Sequence, residues 1–249
     1  MNDRSTTLIR VTTRKEDGNM SFVHGQADSV VKQRQDALGK HHISLDQCVA
    51  LRVIDQNVIY HAKSSDKGKG TRSSDDAVIA DALVTREKNL FLFLLTADCL
   101  PLTLYDPVHE AVGLAHLGRK SSDQLLALEL VKYMQQEFDT QPNKLHAYFG
   151  PAIHPTSYIL DQNRTSFLSD WSSHITKKTP SQLSVDIIGF NEAILVRHGV
   201  RSETIFHDNV NTATSPNHFS HYRSYRTGET QGRFATVVGM PYSTLYYQQ

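Results

Sequence analysis

Apolar residues recur along the chain mostly in short dense runs, the pattern of strands buried on both faces. In three places they space out to a period near 3.6 instead. Asp28–Leu38 sets Val30, Val31, Ala37 and Leu38 on one stripe and predicts a surface helix with one buried face. Ser121–Phe138 predicts a longer helix, with Ser121 or Ser122 as N-cap and Ala127, Leu130, Val131, Met134 and Phe138 on the inner face. Asp186–His198 predicts a third that runs into Gly199, a natural C-terminal stop. Cys48–Ile54 and Asn57–Ala62, rich in Val, Ile and Leu, predict a pair of strands with a tight turn or bulge at Asp55-Gln56. Ala77–Thr85 and Leu90–Thr96 predict two more, turning at Arg86–Asn89, and Ala111–Ala115 a further short one. Lys144–Phe149, Thr204–Phe206 and Phe234–Val238 complete the set. Lys63–Asp76 (KSSDKGKGTRSSDD) offers almost nothing to a core and predicts a mobile loop.

No internal repeat and no linker interrupts this pattern, so one domain over 1–249 is expected, and 249 residues suffice for a substantial core. Lys plus Arg and Asp plus Glu each number 26; a formal net charge of zero leaves no electrostatic footprint for nucleic acid or an anionic membrane. The longest apolar run, Leu90–Leu95, is far short of the roughly 20 residues that cross a bilayer. The opening residues lack the apolar core of a signal peptide. A cytoplasmic protein is expected, with no nucleic-acid or membrane partner and with Cys48 and Cys99 as free thiols.

The stretch LLTADCLPLTLYDPVHEAVGLAHLG, Leu94–Gly118, sets Asp98-Cys99 after one expected strand and His116 after another. Two strand ends at one sheet edge bring a thiolate and an imidazole together, as a metal site or a Cys–His dyad requires. The same residue types also serve as a small buried hydrophobe and a hydrogen-bonded structural histidine. Spacing alone does not separate these readings.

The surrounding residues do. Asp81-Ala82-Leu83-Val84-Thr85, Thr96-Ala97-Asp98-Cys99-Leu100-Pro101, His116-Leu117-Gly118, Gly150-Pro151-Ala152-Ile153, the pair Asp186 and Asn191, and Gly232-Arg233-Phe234-Ala235 together resemble the laccase-domain family. Its members are also called multicopper polyphenol oxidoreductases and are regarded as zinc-dependent purine nucleoside phosphorylases. The resemblance runs from about Asn19 onward. It implies an α+β fold with central mixed β-sheets packed between outer helices and a site at the strand ends. It implies zinc held by His, Cys and His, two of which match Cys99 and His116. The first histidine, from a Gln-Val-His-Gly stretch, falls on Ile54 in Arg52-Val53-Ile54-Asp55. Asp55, His61, His154 and His221 are then candidates for a third ligand; in an unbroken strand Asp55 and His61, at odd offsets from Ile54, face the wrong way unless a bulge intervenes.

Other departures touch the substrate side. The family's Trp-Arg after His-Ala-Gly is Arg119-Lys120 here, and its Phe-Ser-Tyr-Arg-Arg maps onto Phe219–Arg226 in two registers, with Arg223 or Arg226 as the matching arginine. The cysteine that usually precedes that segment is absent, Asn209 or Asn211 standing nearby. The resemblance implies phosphorolysis of adenosine or inosine, with adenosine deamination as an associated activity. Cys99 and His116 are the catalytic candidates, with Asp98 orienting them; Lys120, Arg233, Arg226 and Asp81 are the candidates for phosphate and substrate contacts. Purine nucleoside and phosphate are the expected partners of a monomer or homodimer. Copper-dependent phenol oxidation is the alternative, although the paired His-x-His of multicopper oxidases is missing; a degenerate nucleoside-binding relative is the other.

Overall fold

The computed structural model describes residues 8–242. Its strands are β1 (Ile9–Thr12), β2 (Cys48–Arg52), β3 (Ile59–His61), β4 (Val78–Ile79), β5 (Ala82–Thr85), β6 (Phe91–Thr96), β7 (Leu100–Asp106), β8 (Ala111–Leu117), β9 (His146–Phe149), β10 (Ile159–Asp161), β11 (Ile175–Thr179), β12 (Gln182–Val185), β13 (Ile205–His207) and β14 (Phe234–Gly239). Its α-helices are α1 (Ala27–Gly39), α2 (Arg119–Asp123), α3 (Leu126–Phe138), α4 (Ile187–Arg197) and α5 (His221–Thr227). Among the described residues no helix is long and apolar enough to cross a membrane.

The period of two along each strand sorts apolar side chains between layers. One sheet runs β1-β14-β6-β2-β4 and a second β13-β9-β7-β8-β5-β3. On β6, Leu92 and Leu94 meet Leu83, Val112 and Leu114 of the second sheet, while Phe91 and Phe93 turn outward to Ala37 and Leu38 of α1. On the far face of the second sheet, Leu102, Leu104 and Ala115 meet Leu130, Val131 and Met134 of α3. Gly113 permits that approach, because a Cβ there would lie 3.2–3.3 Å from Leu130 and Met134. The result is mixed α+β, with central mixed sheets between outer helices, as the family resemblance implied. A small antiparallel sheet, β10-β12-β11, adds a flank in which Trp171 stacks on Phe190 at 3.7 Å.

Connectivity differs from the expected hairpins. β2 and β3 do not pair, nor do β5 and β6; each pair is split between the two large sheets. β2, β4 and β6 run parallel, so all three leave the first sheet at one edge and cross there to β3, β5 and β7. β8 returns to that edge, Leu117 opposite Leu100, and β14 starts there, Phe234 opposite Thr96. Local patterning cannot reveal such crossovers, since it is blind to which sheet a strand joins.

Other corrections are local. His116 lies within β8 rather than beyond its end. The long helix is broken: Leu125 takes φ 62 between α2 and α3, and Ser121 and Ser122 sit buried inside α2 instead of capping it. Their hydroxyls are used for packing, Ser121 Oγ donating to the His116 carbonyl (2.8 Å) and Ser122 Oγ accepting from Asn191 Nδ2 (2.8 Å). Lys63–Asp76 is an anchored loop, because the buried Arg34 of α1 donates to the carbonyls of Gly70 and Thr71, both at 2.9 Å, and Asp66 and Thr71 are buried. β1, β7, the small sheet and α5 were not expected from the pattern.

Candidate active site

Asp81, fully buried between β4 and β5, accepts four backbone N–H bonds. One oxygen takes Ile54 (2.9 Å) and Asp55 (2.6 Å), the other Gln56 (2.8 Å) and Val58 (3.2 Å). This carboxylate curls the β2–β3 crossover, where Asp55 (φ 55) and Asn57 (φ 58) turn left-handed. With its acceptor sites spent on the backbone, Asp81, expected as a substrate contact, holds a loop in this structure. The left-handed turn also brings Asp55 toward Cys99 and His116, close enough for its charge to act on both.

Asp98 (φ 89) turns β6 into β7. Its Oδ1 accepts from the Thr212 hydroxyl (2.6 Å), its Oδ2 from the Tyr222 N–H (2.7 Å), and its carbonyl from the Ile153 N–H (2.9 Å). Asp98 therefore positions three segments around the next residue. The Cys99 thiol and the His116 ring meet over Gly118: a Cβ on that glycine would lie 3.4 Å from Sγ and 3.2 Å from His116 Cε1. His116 Nδ1 is buried without a hydrogen-bond partner. Burial, with the charges of Asp98 and Asp55, pushes the Cys99 thiol up to about 12, and burial pulls His116 below the usual histidine range. Both groups are neutral at pH 7.

Of the expected cations, Arg233 faces this pair. Burial lowers its pKa while Cys99 and Asp98 oppose that shift, and its Nη1 donates to the Gly232 carbonyl (2.8 Å). Lys120 is exposed, its Nζ 4.0 Å from Asp55 Oδ2. Arg226 is also exposed and donates to the Tyr222 hydroxyl (3.1 Å). Arg223, the alternative register, is committed to the scaffold through Glu229 (2.7 Å) and the carbonyls of Thr212, Ser215 and His218.

The metal donors do not reach three. His61 packs edge-on against Phe138 at 5.0 Å with Glu137 3.9 Å from its Nδ1. His154 lines a separate cavity with Asp186, Glu192 and His207. His221 lines the cavity that holds Cys99. Among the described residues no three His, Cys, Asp or Glu side chains form a group that could hold a metal ion. The orphaned Nδ1 of His116 and the thiol beside it match two donors of the set that the resemblance implied, and the position expected to carry the first histidine holds an aliphatic Ile54. A catalytic zinc ordinarily takes three protein ligands, so this donor set does not fit one.

Beside Cys99 opens a cavity of about 280 Å³. Ile153, Ile187, Tyr158, Tyr222 and Tyr225 form its apolar walls, with Asp98-Cys99, Arg119 and His221 as its polar points. Burial pushes the Tyr158 phenol up to about 12, so it stays protonated. Tyr225 is 84% exposed. None of the three tyrosines stands among the site candidates legible in the sequence. A signal existed for two of them, since Tyr222 and Tyr225 are three apart and share a face of α5.

A profile of the multi-copper polyphenol oxidoreductase laccase family matches residues 11–241. The chain belongs to this family. The purine nucleoside phosphorylase YlmD of Bacillus subtilis (strain 168) is 32% identical over 225 residues, covering 88% of this chain and 80% of that one. The purine nucleoside phosphorylase SSP1584 of Staphylococcus saprophyticus is 27% identical over 245 residues, covering 93% and 91%. Among solved structures, YlmD from Geobacillus stearothermophilus matches with a TM-score of 0.87 at 25% identity, over 96% of this chain and 94% of that one. The Bacillus licheniformis hypothetical protein YfiH shares the fold, with a TM-score of 0.86 at 24% identity over 93% and 92%. In this laccase-family chain, then, the likeness in fold covers nearly the whole length, 96% of it against the Geobacillus structure.

Proposed function

We propose that this protein is a phosphate-dependent purine nucleoside phosphorylase. The observation that carries this reading is the tyrosine-walled cavity with Cys99 in its lining; relatives that are named purine nucleoside phosphorylases support it. Aromatic and aliphatic walls suit a flat purine, and a few convergent polar groups suit the sugar and the reacting bond. In the reaction an oxygen of hydrogen phosphate attacks C1′ of the ribose and the C1′–N9 bond breaks. The bonding pair leaves with the purine, which takes up the proton that hydrogen phosphate gives up. Ribose 1-phosphate and free base are the products.

The chain supplies position and electrostatics. Arg233 offers fixed positive charge to the phosphate, and the apolar walls exclude water, which strengthens that attraction. The neutral Cys99 thiol and the protonated Tyr158 phenol are hydrogen-bond donors beside the reacting bond and the leaving base. Asp98 acts through others, by fixing Tyr222 and the turn that carries Cys99.

The test is to incubate the protein with adenosine or inosine while phosphate is varied, and to separate the free base by chromatography. Release that rises with phosphate and vanishes without it is expected. Release indifferent to phosphate sinks the proposal; oxidation of a phenol that needs added copper and ignores phosphate favours the laccase-like alternative.

A further inference from the structure

Arg119 lines the Cys99 cavity, and the chain fixes it from two sides. It is the first residue of α2 and directly follows Gly118, the glycine over which Cys99 and His116 meet, so its backbone is set beside that pair. The loop between β10 and β11 holds its side chain. Asp123, buried at the end of α2, accepts from the N–H groups of Leu168 (2.8 Å) and Ser169 (2.9 Å) and from Trp171 Nε1 (3.0 Å), while its carbonyl accepts from the Ser169 hydroxyl (2.6 Å). That clamp presents Ser166 and Phe167 to Arg119. Arg119 Nη1 donates to the Ser166 carbonyl (3.1 Å), and the guanidinium carbon lies 5.9 Å from the centre of the Phe167 ring.

Among the described residues Arg119 makes no other hydrogen bond and no ion pair. The forks of Arg34 and Arg223, by contrast, are filled by backbone carbonyls and, for Arg223, by Glu229. Arg119 therefore offers the cavity a planar set of N–H donors that cannot accept. The other polar points lean the same way. Asp98 has both carboxylate oxygens occupied, by the Thr212 hydroxyl and the Tyr222 N–H. The Cys99 thiol and the Tyr158 phenol keep their protons. Among the described residues no unoccupied carboxylate and no side-chain amide lines the space. A ligand seated here meets donors, and a ligand edge rich in acceptors fits them best.

Purines differ at one such edge. A 6-oxopurine sets O6 and N7 side by side, two acceptors that a guanidinium fork meets with two parallel N–H bonds; a 6-aminopurine sets a donor beside N7, and the fork then faces a donor of its own kind. We propose that Arg119 reads the base in this cavity and sets a preference for 6-oxopurine nucleosides, inosine and guanosine, over adenosine. That the ligand is a nucleoside rests on the phosphorylase reading; the preference rests on Arg119 and on the donor-lined cavity. As the C1′–N9 bond breaks, the charge that leaves with a 6-oxopurine spreads onto O6 and N7, so the same fork tightens in the transition state. The preference then shows in turnover as well as in binding.

Two measurements on the full chain test this: steady-state base release from inosine and from adenosine at varied phosphate, and calorimetric titration of free hypoxanthine and free adenine. Wild-type kcat/KM is expected to be about tenfold or more higher for inosine, and hypoxanthine to bind more tightly than adenine. Arg119→Met keeps an unbranched stem and removes the fork. It should lower kcat/KM for inosine about tenfold, leave adenosine within about threefold, and leave the phosphate KM unchanged. Arg119→Gln, whose amide can pair with N6 and N7, should turn the preference toward adenosine. Both variants should melt close to wild type, since the one scaffold bond of Arg119 lies at the surface. Wild-type preference kept in both variants overturns the proposal. So does an equal loss with both nucleosides and a raised phosphate KM, which would make Arg119 a phosphate contact. Hypoxanthine that outbinds adenine through Arg119, with no release from either nucleoside, upholds the base reading while the phosphorylase falls. Phosphate-dependent release that is equal for inosine and adenosine defeats the base reading and leaves the phosphorylase standing.

Discussion

Arg34 shows how much one side chain holds in place. Its guanidinium is buried, sandwiched near the rings of Phe22 (4.3 Å) and Phe93 (4.8 Å), and donates to the carbonyls of Met20, Gly70 and Thr71. Removing it leaves those carbonyls without a donor in a dry environment, so Arg34→Met should lower stability by about 3 kcal/mol, read by urea unfolding on the fluorescence of the single tryptophan, Trp171. The two cysteines should behave differently. Cys48 is fully buried on β2, with a thiol pushed up to about 12 by burial, and Cys48→Ala should cost about 1 kcal/mol and no activity. Cys99→Ala should cut base release about 100-fold or more while the melting temperature stays close to wild type; undiminished release would remove Cys99 from the mechanism. Ile54 carries the metal question. Purified protein should hold less than one equivalent of zinc after dialysis against a weak chelator, and Ile54→His should raise that content; full occupancy in the unaltered protein would show that another residue completes the site.

At the scale of elements, the site depends on the crossovers between sheets. Asp81→Asn turns one acceptor into a donor amid four N–H groups, so residues 54–58 should lose hydrogen-exchange protection while β6 and β14 keep theirs. Equal protection in the variant would show that the backbone holds that bend without the carboxylate. The helices α1 and α4, most strands and the convergence of Cys99 with His116 were legible in the sequence, because periodicity and a specific motif report burial and local chemistry directly. What was not legible has a common cause. The false hairpins β2–β3 and β5–β6, the break at Leu125 and the anchoring of residues 63–76 all depend on contacts between residues far apart in the chain, and several run through backbone atoms that no side-chain pattern records. Asp81 shows the same limit: a motif carboxylate draws attention as chemistry, and only the fold reveals that its partners are main-chain amides.

For the whole molecule, acid should be destabilising well above the carboxylate range. Burial lowers the pKa of His24, His61, His154 and His218 in the folded state. The unfolded chain then binds protons that the folded one refuses, so their contribution to stability is complete above the unfolded value near 6.5 and is lost as pH falls through the folded values. The urea midpoint should decline from about pH 7 downward, and His218→Gln should flatten that slope; a midpoint constant to pH 5 would contradict it. The same architecture gathers Asp98, Cys99 and His116 at one edge, where parallel strands leave one sheet and antiparallel ones return. The account's central claim is that this edge transfers a ribosyl group to phosphate. Phosphorus magnetic resonance of the protein with inosine and phosphate tests it most directly. A ribose 1-phosphate resonance that grows in equal amount with free hypoxanthine is the predicted result; hypoxanthine accumulating while all phosphorus stays inorganic would contradict it.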